Sequence, residues 1–209
     1  MIAIINYDAG NLASVSNALD RLNTEYIITK KIGELDSSDA VIFPGVGHAK
    51  PAMESLRENG LDNWLKKTDK PLLGLCLGMQ LLYKSSEEGG GTQGLGLIPG
   101  RLKKFDNSQH KVPHIGWNTC DNINDHPLLN DLDEKDYFYF VHSYYAPVND
   151  FTIASCGYIS EFAAIAARGN VIGTQFHPEK SGDAGQRLLK NFLRIAKISK
   201  TKTDYTNQK

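Results

Sequence analysis

One cysteine in this chain stands between two glycines, in Gly74-Leu75-Cys76-Leu77-Gly78. The apolar run 71–75 before it reads as a buried strand, and Leu77 to Tyr83 reads as the first turns of a helix. A sharp strand-to-helix turn brings backbone segments too close for side chains at the flanking positions, so both are glycine. The residue at the tip is presented to a substrate, which makes Gly-x-Cys-x-Gly the thiol form of a nucleophile elbow. The helix start behind the cysteine is the end that attracts negative charge, and the Leu77 amide is placed to meet an oxyanion. A cysteine buried in a core strand is the competing reading. It leaves unexplained two glycines that each weaken the element they sit in.

A thiol nucleophile needs a base, and His177-Pro178-Glu179 offers one. In extended backbone residues i and i+2 face the same way, and the proline favours extended geometry for His177. Glu179 would then orient the imidazole, and the imidazole would take the thiol proton. The alternative is a turn with a surface carboxylate. Pro44-Gly45-Val46-Gly47 supplies a third piece. Glycines after a buried strand can aim consecutive amides at one point, so an amide at Val46 or Gly47 would complete an oxyanion hole with Leu77. Neither this loop nor Gly94-Leu95-Gly96 fits a phosphate-binding pattern. His110 and His114 are four apart, but Pro113 breaks any helix that would pair them as ligands. His48, His126 and His142 have no metal-like company and read as structural or surface residues. No metal and no cofactor is expected.

The elements that must carry these pieces follow from hydrophobic periodicity. Residues 2–6, 25–29, 40–43 and 71–75 read as strands; 12–22, 49–59 and 61–67 read as helices. Such alternation argues a doubly wound, mostly parallel sheet flanked by helices, with sites beyond the carboxyl ends of the strands. The second half changes character. Residues 89–100 are glycine-rich and irregular, and short β-like runs follow at 101–105, 114–117, 137–141, 151–155, 162–167 and 171–176, an added antiparallel segment. Asp183 to Ile198 reads as a closing amphipathic helix. One α/β domain over 1–198 is expected, with 199–209 a frayed polar tail.

The totals exclude several classes. The 209 residues carry a formal net charge of −1 without blocks of like charge, which speaks against nucleic-acid or membrane partners. Cys76, Cys120 and Cys156 are widely spaced and form no Cys-x-x-Cys pair, so neither a disulfide framework nor a zinc site is indicated. Met1 to Asn6 has no basic n-region and its apolar run is too short for a signal peptide. A cytoplasmic protein is the expectation.

Taken together, Gly74-Leu75-Cys76-Leu77-Gly78-Met79-Gln80, Pro44-Gly45-Val46-Gly47 and His177-Pro178-Glu179 resemble the three motifs of the class I (triad-type) glutamine amidotransferases. Asn6-Tyr7-Asp8-Ala9-Gly10-Asn11, Pro113-His114-Ile115-Gly116-Trp117-Asn118 and Tyr139-Phe140-Val141-His142-Ser143-Tyr144 narrow the resemblance to the branch of glutaminase subunits of imidazole glycerol phosphate synthase, from residue 1 to about 197. The resemblance implies that Cys76 attacks the side-chain amide of L-glutamine, releasing ammonia and leaving a thioester that water hydrolyses. Gln80, Glu88, Ser143 and Tyr144 match positions that hold the glutamine. Glu88 makes chemical sense there, since a free amino acid carries an ammonium. The resemblance further implies an obligatory (β/α)8-barrel cyclase subunit, which 209 residues cannot also contain. Asn11, Ser14, Trp117 and Lys180 would lie at that interface and at the ammonia exit. The products would serve histidine and purine synthesis. A paralogue feeding a cyclase-like partner in surface-sugar biosynthesis would carry the same triad.

Overall fold

The computed structural model describes residues 1–206 except 109 and 123, without the side chains of residue 122 and of residues from 197 onward. The first half runs β1 (Ile2–Ile5), α1 (Leu12–Arg21), β2 (Tyr26–Thr29), α2 (Ile32–Asp36), β3 (Ala40–Phe43), α3 (Ala49–Glu58), α4 (Leu61–Lys67), β4 (Leu72–Leu75) and α5 (Leu77–Leu82). There follow β5 (Tyr83–Ser86), β6 (Thr92–Gln93), β7 (Ile98–Lys104), β8 (His114–Asn118), β9 (Asp121–Asn122), β10 (Phe138–His142) and β11 (Tyr144–Tyr145). The chain then returns through β12 (Thr152–Gly157), β13 (Glu161–Arg168) and β14 (Val171–Thr174) and closes with α6 (Gly182–Thr206).

The main sheet has the order β2-β1-β3-β4-β14-β13-β12-β9. Its first five strands are parallel, and β13, β12 and β9 extend it antiparallel. This is the doubly wound, mostly parallel sheet with an antiparallel addition that the alternation of elements implied. Strand alternation divides the core between the two faces. Ile2, Ile4, Ile42 and Leu73 face α1 and α6, where Leu19, Leu188 and Phe192 cover them. Ala3, Ile5, Phe43 and Leu72 face the other way, under Met53 and Leu56 of α3 and Met79 of α5. Both faces of the central strands are therefore buried, which is why these runs are apolar throughout.

Four differences from the sequence reading have physical reasons. The segments α2, β6, β9 and β11 have five residues or fewer, too few for a periodicity to declare itself. The helix after the elbow stops at Leu82, one residue early, because Tyr83 to Ser86 turns to pair with β7 and β6. Residues 98–100, read as irregular, begin β7. The closing helix runs to Thr206 rather than 198, since 199–206 hold no proline or glycine to stop it. Residues 207–209 of the expected tail lie outside the described residues. Among the described residues no helix is long and apolar enough to cross a membrane.

Candidate active site

Cys76 occupies the step from β4 to α5 with φ +50° and ψ −107°, a region L-residues rarely adopt. The flanking glycines make the step possible. A Cβ on Gly78 would stand 1.9 Å from the Phe43 carbonyl oxygen, and one on Gly74 would stand 2.8 Å from the Met79 amide nitrogen. Gly78 is pressed onto the end of β3 and Gly74 onto the first turns of α5, so neither position has room for a methyl group. The register pairs Gly74 with both Phe43 and Gly173, so β3, β4 and β14 end side by side. The three candidate pieces leave the carboxyl ends of these three adjacent strands.

His177 and Glu179 follow β14. His177 Nδ1 donates to Glu179 Oε1 at 2.8 Å, and both side chains are buried. The pairing expected from the sequence forms, though not by extended geometry alone. His177 is extended, while Glu179 sits in a 3-10 turn, Pro178–Lys180. Ser181 Oγ donates to the His177 carbonyl at 2.6 Å and accepts from the Tyr139 amide at 3.0 Å, tying this turn to β10. His177 Nε2 is buried without a hydrogen-bond partner among the described residues. Burial pushes the imidazole pKa down, but the neighbouring Cys76 sulfur and Glu179 carboxylate push it up by more, to about 10. His177 thus holds a proton at neutral pH.

A cavity of about 310 Å³ lies over Cys76. Val46, Gly47, Leu77, Gln80, Glu88, Ser143, Tyr144 and His177, all singled out in the sequence, line it; Glu179 stands behind His177. Gln80 Nε2 spends both its N–H groups inside the protein, on the Tyr144 carbonyl (3.0 Å) and on Gln175 Oε1 (3.1 Å). Gln80 therefore retains only its oxygen for a ligand. Glu88 Oε2 accepts from the Ala49 amide at the start of α3 (3.0 Å), and Oε1 pairs with His48 Nδ1 (2.9 Å). The Tyr144 hydroxyl pKa is raised by partial burial and then by the charges of Glu88 and Glu87. A wider cavity of about 610 Å³ opens elsewhere, between Met1, Arg21, Lys190 and Arg194, and holds none of the candidate residues.

The amides expected to receive an oxyanion are not both free. The Leu77 N–H already donates to the Gly45 carbonyl at 3.3 Å. The peptide bond is planar and trans, so the Val46 N–H, on the same peptide as that carbonyl, points the opposite way. Turning this one peptide would release Leu77 and bring the Val46 amide inward. The loop hangs from Tyr7, whose buried hydroxyl donates to the Pro44 carbonyl at 2.8 Å.

Of the four expected interface residues, Asn11 caps α1, its Oδ1 accepting from the Ser14 amide at 3.1 Å. Helix α1 packs against the turn bearing Lys180. Trp117 is 55% exposed and meets Tyr139 edge to face, and Lys180 Nζ lies 6.0 Å above the same ring. Tyr139 in turn neighbours the His177 ring. Trp117 and Lys180 thus share a surface next to the candidate base.

Sequence reasoning missed four residues. His48, read as structural or surface, lines the cavity and holds Glu88. Tyr7 anchors the loop. His142 Nδ1 donates to the Tyr144 carbonyl (2.9 Å), so its Nε2 accepts from His114 Nδ1 (3.1 Å). Burial holds both imidazoles neutral, with pKa values lowered to about 3 for His142 and about 4 for His114. Gln175, buried beside Cys76, is the fourth. Its signal was present: the same i, i+2 spacing that led from His177 to Glu179 leads back to Gln175.

Comparison with known proteins is consistent with this geometry. A family profile described as glutamine amidotransferase class-I matches residues 4–196. The imidazole glycerol phosphate synthase subunit HisH of Bacteroides fragilis is 46% identical over 196 residues, covering 93% of this chain and 99% of that protein. The protein of the same name from Geobacillus sp. is 48% identical over 205 residues, covering 93% and 97%. Among solved structures, a glutamine amidotransferase superposes with a TM-score of 0.74 at 22% identity, covering 94% of this chain and 99% of that one. PurLQS from Thermotoga maritima superposes with a TM-score of 0.67 at 20% identity, covering 93% and 97%.

Proposed function

The chain belongs to the class I glutamine amidotransferases, and from that premise we propose how it works. It is the glutaminase subunit of imidazole glycerol phosphate synthase, an enzyme of histidine biosynthesis, acting on L-glutamine beside a cyclase partner. In our reading His177 holds the proton given up by Cys76, whose Sγ attacks the side-chain amide carbon of glutamine, and the carbonyl oxygen takes the negative charge. His177 passes its proton from Nε2 to the nitrogen, the carbon–nitrogen bond breaks, and ammonia leaves a glutamyl thioester. Water then enters. His177 takes its proton, the resulting hydroxide attacks the thioester, and the sulfur departs as glutamate forms. Glu179 holds the imidazole through Nδ1 in both halves. Glu88, the Gln80 oxygen, Ser143 and Tyr144 hold the amino-acid end of the substrate. The oxyanion is received by the Leu77 and Val46 amides after the Gly45–Val46 peptide turns, with Gly47, at φ +97°, absorbing the change. The partner is a (β/α)8 barrel docked over Asn11, Ser14, Trp117 and Lys180. Three free cysteines support a reducing, cytoplasmic setting.

The observation that carries this reading is the convergence of Cys76, the His177–Glu179 pair and a cavity of about 310 Å³ at three adjacent strand ends. A glutaminase assay with and without the cyclase subunit tests it. Glutamine hydrolysis should depend on the partner, and Cys76→Ala should lower it by roughly three orders of magnitude or more. Synthesis driven by added ammonium salt should survive that substitution. A Cys76→Ala chain that still hydrolyses glutamine would remove Cys76 from the mechanism.

A further inference from the structure

Besides the His177 imidazole, the Cys76 sulfur touches two polar groups of opposite character. The Val141 carbonyl, 3.8 Å away, accepts the thiol proton. The Gln175 side-chain amide, also 3.8 Å away, donates to the sulfur. Gln175 comes directly after β14, and the register that pairs Leu75 with Thr174 carries it beside Cys76. Which end of its amide meets the sulfur is decided at a distance. The Tyr144 carbonyl can only accept, so the nitrogen of Gln80 must face it. The second N–H of that nitrogen goes to Gln175 Oε1. This occupies the oxygen end of Gln175 and turns its N–H groups to Cys76. A main-chain carbonyl on β11 thereby sets the polarity of the whole chain of amides.

We propose that Gln175 is a positioning residue for the nucleophile: held by Gln80, it fixes the sulfur in the cavity and donates to it whenever negative charge gathers there. The proposal rests on the reading of Cys76 as the glutaminase nucleophile. A hydrogen bond to a charged acceptor is about twice as strong as one to a neutral acceptor. The Gln175 donor therefore favours the sulfur as it gives up its proton, and again as it leaves the thioester. The Val141 carbonyl favours only the protonated thiol.

Two near-isosteric variants separate this role from simple packing. Gln175→Met removes the donor. Gln175→Glu keeps the length and can still accept from Gln80, but puts an oxygen where the N–H groups were. A packing role predicts that the Glu variant is the milder; donation to sulfur predicts that it is the more damaging. The readouts are kcat and KM for glutamine hydrolysis in the complex with the cyclase subunit, the rate of Cys76 alkylation by iodoacetamide mapped by mass spectrometry, and the melting midpoint. We expect kcat to fall about 10- to 100-fold with KM within about twofold, by analogy with the loss of one preorganised donor. Alkylation should slow in both variants, most in Gln175→Glu. Wild-type kcat and alkylation in Gln175→Glu, or a rise in KM alone, would overturn the proposal. Should one variant melt below the assay temperature, the alkylation rate of the other decides. A Cys76→Ala chain that still hydrolyses glutamine is a different result and overturns the nucleophile itself.

Discussion

His177 sits between opposing influences: burial disfavours its charge, while Cys76 and Glu179 favour it and prevail. Its folded pKa, about 10, lies above the ordinary value of 6.5, so the stability it contributes is complete below pH 6.5 and is lost as pH rises toward 10. The stability gap between the wild type and His177→Gln should narrow over that window, as chemical denaturation at several pH values would reveal. Removing either neighbour should lower the midpoint, so imidazole signals of labelled His177 should titrate earlier in Cys76→Ala and in Glu179→Gln. An unchanged midpoint in both variants would mean that neither neighbour raises it. Glu179→Gln should also cost less glutaminase activity than His177→Ala, since orienting a base contributes less than being one. Residue types and spacing made the clustering of Cys76, His177 and Glu179 legible, because a cysteine between two glycines and a histidine two residues before a carboxylate are chemically distinctive. Tyr7 and His48 were not, because their work depends on partners 37 and 40 positions away, and nothing local announces such a contact.

The elbow is the element on which the arrangement depends, and its tolerance is small. Gly78→Ala would drive a methyl group against the Phe43 carbonyl, so β3 and α5 must separate. We expect a loss of about 3 kcal/mol, the upper end of what overpacked cores show, and a corresponding drop in melting midpoint. Tyr7→Phe is gentler. It leaves the Pro44 carbonyl without its buried donor and should cost about 1 kcal/mol by denaturant titration. The central parallel strands were legible because each is a short apolar run buried on both faces. Strands β5, β6, β9 and β11 were not, because their two to four residues are defined by the partner they pair with rather than by a pattern of their own. The closed state of the oxyanion amides was equally invisible. The same four residues, Pro44 to Gly47, are compatible with either orientation of one peptide, and only the hydrogen bond from Leu77 to Gly45 distinguishes them.

At the scale of the whole molecule, the sheet gathers the site at one end and presents beside it a surface bearing exposed Trp117. Trp117→Ala should weaken cyclase binding about 10-fold or more, as loss of an exposed aromatic anchor does, without lowering the melting midpoint. Isothermal titration of the two subunits measures the first, and calorimetric melting the second. Unaltered affinity would move the interface elsewhere. The buried His114–His142 pair acts on the molecule in the opposite sense to His177. Both pKa values are depressed, so stability should fall as pH drops below 6.5, with the loss continuing toward pH 4 and below. The bond from the Leu77 amide to the Gly45 carbonyl also has a consequence for nitrogen economy. On the mechanism proposed above, a chain made in excess of its partner would stay idle rather than drain the glutamine pool and flood its surroundings with ammonia. The two polypeptides can then be synthesised in unequal amounts without waste.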